Sequence, residues 1–125
     1  MEPDFIFSYV ASPYSHPNPV VREARYHDVM RAVHFLLHSV PGVHFSPIVY
    51  CHPLAIRYTL PTDAGYWQNF NEAIMERADR LYFVRLQGFD ESVGCKMELD
   101  WAKKNGREYY FLAPTGGTFH VIAPA

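Results

Sequence analysis

Short apolar runs alternate with longer amphipathic stretches along this chain, and punctuating residues mark most of the changes. Phe5-Ile6-Phe7-Ser8-Tyr9-Val10-Ala11 is apolar, rich in β-formers and bounded by Pro3 and Pro13. That is the pattern of a strand buried on both faces. Ser12 to Pro17 is dense in serine and proline and reads as a loop. Asn18-Pro19 then supplies a helix start, with Asn as N-cap and Pro at the first helical position. The helix is predicted to reach Ser39, with Val21, Ala24, Val29, Ala32, Val33 and Leu36 as its inner stripe, and Pro41-Gly42 ends it.

Val43 to Val49 is predicted as a second strand, weakened by Pro47. Residues 50–61 are ambiguous, with a short helix around Leu54-Ala55-Ile56. Thr62 or Asp63 is placed to cap a third helical stretch reaching Arg80 and containing Trp67, Phe70, Ile74, Met75 and Ala78. Leu81-Tyr82-Phe83-Val84-Arg85-Leu86 is the clearest strand. After the polar loop Gln87 to Glu91, a helix is predicted from Val93 to Asn105, with Gly106 as its stop. Glu108 to Leu112 is another strand, and the tail after Pro114 adds a short final one. Strands alternating with helices predict an α/β fold: a mostly parallel sheet of 4–5 strands with helices on both faces, a three-layer sandwich.

A chain of 125 residues makes one domain, residues 1–125. With 49% of residues hydrophobic it has the means to form a core, which argues against disorder. The net charge of -2 is scattered, so no footprint for a nucleic acid polymer or an anionic membrane surface is present. No apolar run approaches a membrane span, and no basic segment leads into an apolar one. The expected location is therefore cytoplasmic and the expected partner a small molecule. Cys51 and Cys95 lack C-x-x-C spacing and read as ordinary reduced thiols. His34 and His38 stand at i, i+4 without an H-E-x-x-H, and adjacent Cys51-His52 is poorly spaced for one ion, so no metal is expected.

In parallel α/β sheets ligands bind beyond the carboxyl ends of the strands. Two loops satisfy that location, Ser12 to Asn18 and Gln87 to Gly94. On the helix after Gly94, Lys96, Asp100, Lys103 and Lys104 fall on one side, while Cys95, Met97, Leu99, Trp101 and Ala102 fall on the other. Glu98 lies near the middle of the apolar arc, with Gly94 one turn earlier leaving space. A carboxylate there is costly unless it is paired or lines a cleft. Helix-start amides favour its anion and apolar neighbours raise its pKa. Such a group can attack a sugar carbon or steady an oxocarbenium ion. Ser92 reads as the helix N-cap and also faces the pocket mouth, and the Tyr9 hydroxyl points to the same edge. Ser12, Ser15 and His16 precede a helix N-terminus, a natural place for a phosphate or carboxylate. A P-loop and G-x-G-x-x-G are both lacking, which disfavours ATP and dinucleotides bound by those routes.

Tyr9-Val-Ala-Ser12-Pro13-Tyr14-Ser15, Ala78-Asp79 and Ser92-x-Gly94-x-x-x-Glu98 together resemble the nucleoside 2-deoxyribosyltransferase superfamily, which includes nucleoside 5'-monophosphate N-glycosidases. The nearest likeness is to its small bacterial and phage branch of unknown function, which shares a Gly-Phe/Trp-Asp-x-Ser loop, here Gly88-Phe89-Asp90-Glu91-Ser92. The likeness covers most of residues 5–112. It implies a flavodoxin-like, Rossmann-like sheet and a homodimer or higher homo-oligomer, with Thr115-Gly116-Gly117 a candidate for exchange between subunits. It makes Glu98 the nucleophile, with Tyr9 orienting it or touching the sugar. Ser92 stands where monophosphate hydrolases carry Ser and transferases Asp, which tilts the expectation toward hydrolysis.

One departure concerns the leaving group. Eight residues before Asp79, where the family carries an Asp that protonates the base, this chain has Asn71. An amide is no general acid, a contribution of about 10² to 10⁴ in rate. Asp63 substitutes if its loop folds inward. The expected ligand-binding set is Ser12, Pro13, Tyr14, His16, Asp63, Trp67, Asp90 and Gly94. The resulting expectation is an N-glycosidase or deoxyribosyltransferase-like enzyme acting on a small nucleoside or nucleotide without a cofactor. The alternatives are a non-catalytic binder of nucleoside derivatives, which Asn71 favours, and a NAD-cleaving glycohydrolase.

Overall fold

The computed structural model describes residues 5–124. Its elements run β1 Ile6–Ala11, α1 Pro19–Ser39, β2 Gly42–Phe45, α2 Pro47–Tyr58, α3 Ala64–Arg77, β3 Arg80–Val84, α4 Val93–Lys104, β4 Tyr109–Thr115 and β5 Thr118–Ile122. The sheet order is β2-β1-β3-β4-β5, with the first four strands parallel and β5 antiparallel at the edge. The order 2-1-3-4 is that of flavodoxin-like sheets, whose direction of winding reverses between β1 and β3.

Alternation along the two central strands divides the core. Val10, Tyr82 and Val84 join Val29, Ala32 and Leu36 of α1 on one face, and Leu112 and Phe119 extend that layer. Tyr9, Ala11, Leu81 and Phe83 meet Met75 of α3 and Ala102 of α4 on the other. Helices covering both faces explain why β1 and β3 are apolar at nearly every position. At the amino end of these strands Asp79 Oδ2 accepts from the Phe7 amide (2.8 Å) while the Asp79 amide donates to the Phe7 carbonyl (2.7 Å). The Ala78-Asp79 motif thus ties β1 to β3 at the far end of the sheet from the loops where a ligand is expected.

Several boundaries differ from the sequence reading. The second strand stops at Phe45, because Ser46 caps a helix, accepting from the Val49 amide (3.2 Å), and Pro47 is that helix's first residue rather than a strand interruption. Residues 50–58 belong to this one helix, α2, which contains Pro53. Asp63, not Thr62, caps α3, and that helix ends at Arg77, since Ala78 turns to extended backbone and Arg80 enters β3. The third strand ends at Val84, leaving Arg85 and Leu86 outside it. Ala24 is exposed; it sits about 140° around α1 from Val29, off the buried stripe. The tail extends the last predicted strand to Thr115, where a two-residue turn with positive φ at Gly116 (53°) and Gly117 (82°) starts the hairpin to β5.

Candidate active site

Glu98 and Tyr9 meet because a helix face and a strand face share one core layer. Ser92 caps α4, its Oγ accepting from the Cys95 amide (3.1 Å). Two turns on, the part-buried Glu98 carboxylate accepts through Oε2 from the hydroxyl of Tyr9, a residue with no exposed surface. Burial pushes the Glu98 carboxyl up to about 7, and the Tyr9 hydrogen bond only partly opposes it. Of the two opposing influences expected from the sequence, the apolar surroundings prevail, and the opposing cause is the Tyr9 hydroxyl and not the helix-start amides. Burial first, and the neighbouring carboxylate second, raise the Tyr9 phenol well above its usual range, so it stays a donor. Burial also pushes the free thiols of Cys95 and Cys51 up to about 12 and about 11. Neither is a thiolate nucleophile at neutral pH.

Glu98 lines a cavity of about 400 Å³ at the carboxyl ends of β1 and β3, in the size range of small-molecule sites. Ser12, Tyr14 and Ser15 from the β1 loop line it, as do Asp63, Trp67 and Asn71 from the start and middle of α3. Ser92, Gly94 and Glu98 complete it from α4. A second cavity of about 320 Å³ between α3 and α4 shares Asn71, Gly94 and Glu98 with the first, so these three residues stand at their junction. Ser12, only 6% exposed, has a buried Oγ without a hydrogen-bond partner, and so has Asn71 Oδ1. Unsatisfied buried polar atoms beside a cavity are groups that a ligand can satisfy.

Most of the sequence-predicted residues converge here; Tyr9, Pro13, His16 and Asp90 do not line either cavity at Glu98, and Tyr9 reaches the site only through its bond to that carboxylate. Pro13 is buried beneath the loop. His16 is exposed, its Nδ1 accepting from the Asn18 amide (3.0 Å), while Asn18 caps α1 by accepting from Val20 (2.9 Å). Asp90 borders a separate depression with Arg85 and Phe111. Asp63 reaches the cavity, yet its Oδ1 is engaged by the Tyr66 amide (2.9 Å). Trp67 is fixed by its Nε1 donating to the Pro61 carbonyl (2.8 Å).

Sequence reasoning missed the α2 wall, made by Ile48, Cys51, His52 and Ala55. His52 is 4% exposed. Its Nε2 lies 2.8 Å from Glu23 Oε1 and its Nδ1 2.6 Å from the Tyr14 hydroxyl, while Tyr26 stacks on the ring at 4.4 Å. The His52 hydrogen bond is the main cause holding the Glu23 carboxyl below its usual value. Burial raises the Tyr14 phenol above its ordinary value, with the nearby Arg22 opposing. The loop bearing Tyr14 is held by Arg25, whose Nη1 donates to the Ser15 carbonyl (2.9 Å). Arg25 also presses on Gly88, where φ is 93° and a Cβ would lie 2.2 Å from Nη2. A side chain at Gly88 would displace Arg25 and with it the loop.

Residues 7–113 match the sequence model of a domain of unknown function, DUF1937. The chain belongs to the DUF1937 family. The matched segment runs from the second residue of β1 through most of β4, and so holds every residue of the cavity just described. A search of curated proteins finds no match. Among the described residues of this family member, no three His, Cys, Asp or Glu side chains converge as a metal site would require. None of its described helices is long and apolar enough to cross a membrane.

Proposed function

We propose that this protein cleaves or exchanges the N-glycosidic bond of a small nucleoside or nucleotide, with Glu98 as nucleophile. The observation that carries the reading is the Glu98 carboxylate, held by a fully buried tyrosine hydroxyl at the wall of a nucleoside-sized cavity. One Glu98 oxygen is held by Tyr9 and the other is available to attack the anomeric carbon. As the C–O bond forms, the C–N bond breaks and its electron pair leaves with the base nitrogen, which takes up a proton. Water, or a second base in a transfer reaction, then displaces the ester and frees Glu98. The resemblance to nucleoside 2-deoxyribosyltransferases supports this assignment, and Ser92 favours hydrolysis within it.

A nucleoside bearing fluorine at the sugar 2-position tests it, because the substituent slows breakdown of a glycosyl ester. Peptide mass mapping is expected to find the sugar on the peptide containing Glu98. Attachment elsewhere, or base release undiminished in Glu98→Gln, would overturn the assignment.

Asn71 favours a second reading, a protein that binds a nucleoside derivative without turning it over. Its Oδ1 is unpartnered at the junction of the two cavities, and its amide cannot protonate a departing base. Binding without base release over a long incubation would select this reading.

A further inference from the structure

The N-glycosidase reading leaves the departing base without a proton, and the structure holds a second titratable cluster on the same cavity. We infer that Tyr14, backed by His52 and Glu23, is the acid that protonates the leaving base. This rests on the N-glycosidase reading and adds the residue that Asn71 cannot replace.

The hydrogen-bond roles follow from the partners. The Glu23 carboxylate only accepts, so His52 Nε2 carries hydrogen and donates to it across 2.8 Å. That leaves Nδ1 facing the Tyr14 oxygen at 2.6 Å. When the ring is neutral, the phenol donates to Nδ1 and its hydrogen is occupied. When the ring is an imidazolium, Nδ1–H donates to the phenol oxygen and turns the phenol hydrogen loose toward the cavity that Tyr14 lines. Glu23 holds the ring by its far nitrogen, and burial against Tyr26 fixes the ring plane.

The proton movement balances. The C–N electron pair moves onto the base nitrogen and takes the Tyr14 hydrogen. The Tyr14 oxygen takes the Nδ1 hydrogen of His52, leaving a neutral imidazole still bonded to Glu23. Solvent returns the proton to His52 before the next turnover. Tyr14 touches the substrate and is the catalytic residue; His52 and Glu23 are positioning residues that act through it. The cavity's other acidic candidates are worse placed: Asp63 holds the Tyr66 amide, and Glu91 is exposed to solvent.

The test uses two leaving groups. An unmodified purine nucleoside needs a proton on its departing base, whereas an N7-methylated purine nucleoside already carries a positive charge and leaves as a neutral base. Tyr14→Phe, which keeps the ring against His52, is expected to lose about 10² to 10⁴ in kcat on the first substrate and to keep its rate on the second. His52→Gln is expected to show the same selectivity between the two substrates with a smaller loss. Equal losses on both substrates, or none on either, would overturn the role of Tyr14 while leaving the N-glycosidase reading intact. Failure of the wild-type protein to free a base from any purine or pyrimidine nucleoside or 5'-monophosphate would overturn both.

Discussion

One wall of the cavity is α4, and another is α2. On α4 the chemistry is a single carboxylate whose environment is set by its own helix and the strand beside it. Ser92, Gly94 and Glu98 are spaced along one helix, and Tyr9 reaches Glu98 from the neighbouring core layer. On α2 the chemistry is a chain of three groups drawn from three elements: Tyr14 from a loop, His52 from α2 and Glu23 from α1. The first wall desolvates a carboxyl group; the second buries a histidine between a phenol and a carboxylate. Two polar clusters on one cavity are thus tuned in opposite directions, Glu98 pushed up and Glu23 held down.

That contrast is sharpened first by activity. Glu98→Gln is expected to lower base release by about 10⁴-fold or more, as removal of a nucleophile does. His52→Gln is expected to cost less, and an equal loss at both positions in a base-release assay would erase the distinction between a reacting group and its support.

Acidity gives the next test. With Glu98 near 7, activity in the wild type is expected to rise with pH through about 7 as the carboxylate ionises. Because the Tyr9 hydrogen bond favours the charged form, Tyr9→Phe is expected to move that midpoint upward. A pH–rate profile whose midpoint stays in place or falls would show that Tyr9 does not govern Glu98.

Stability follows from the same carboxylate. The folded value of about 7 lies above the ordinary 4.5, so between those limits the folded state holds the proton more tightly than the unfolded one. Stability is then lost as pH rises through this window. Glu98→Gln is expected to be more stable than wild type at pH 8 by up to about 3 kcal/mol, with the gain gone at pH 4. Denaturant unfolding at the two pH values measures it. The smallest effect concerns the caps of the two walls. Ser92→Ala and Ser46→Ala each remove a side-chain acceptor at a helix start, and each is expected to cost about 1 kcal/mol in the same experiment.

The two walls also differ in how far the chain announces them. The Asn18-Pro19 start, the apolar β1 and β3, and the apolar face of α4 are local patterns, and Glu98 stands out because it breaks one of them. The α2 wall has no such pattern. Ser46-Pro47 is the same kind of helix start as Asn18-Pro19, but it follows a four-residue strand with no loop between, and so it reads as that strand's continuation. Pro53 and Pro61 obscure the rest of the helix. His52 lies 29 residues from Glu23 and 38 from Tyr14, a separation that only the folded sheet closes. The fold class and the place of Glu98 were therefore legible, as was Tyr14 on its loop, but the His52 and Glu23 behind Tyr14 were not.

Chromatographic detection of free base tests the central claim most directly. The protein would be incubated with nucleosides, their 5'-monophosphates and NAD, beside Glu98→Ala. Release of a purine or pyrimidine by the wild type alone is the predicted result, and it would identify the substrate. Release of nicotinamide alone would point to a NAD-cleaving enzyme instead. A folded protein that binds one of these compounds yet frees no base, or a Glu98→Ala variant that frees it as fast, would contradict the account.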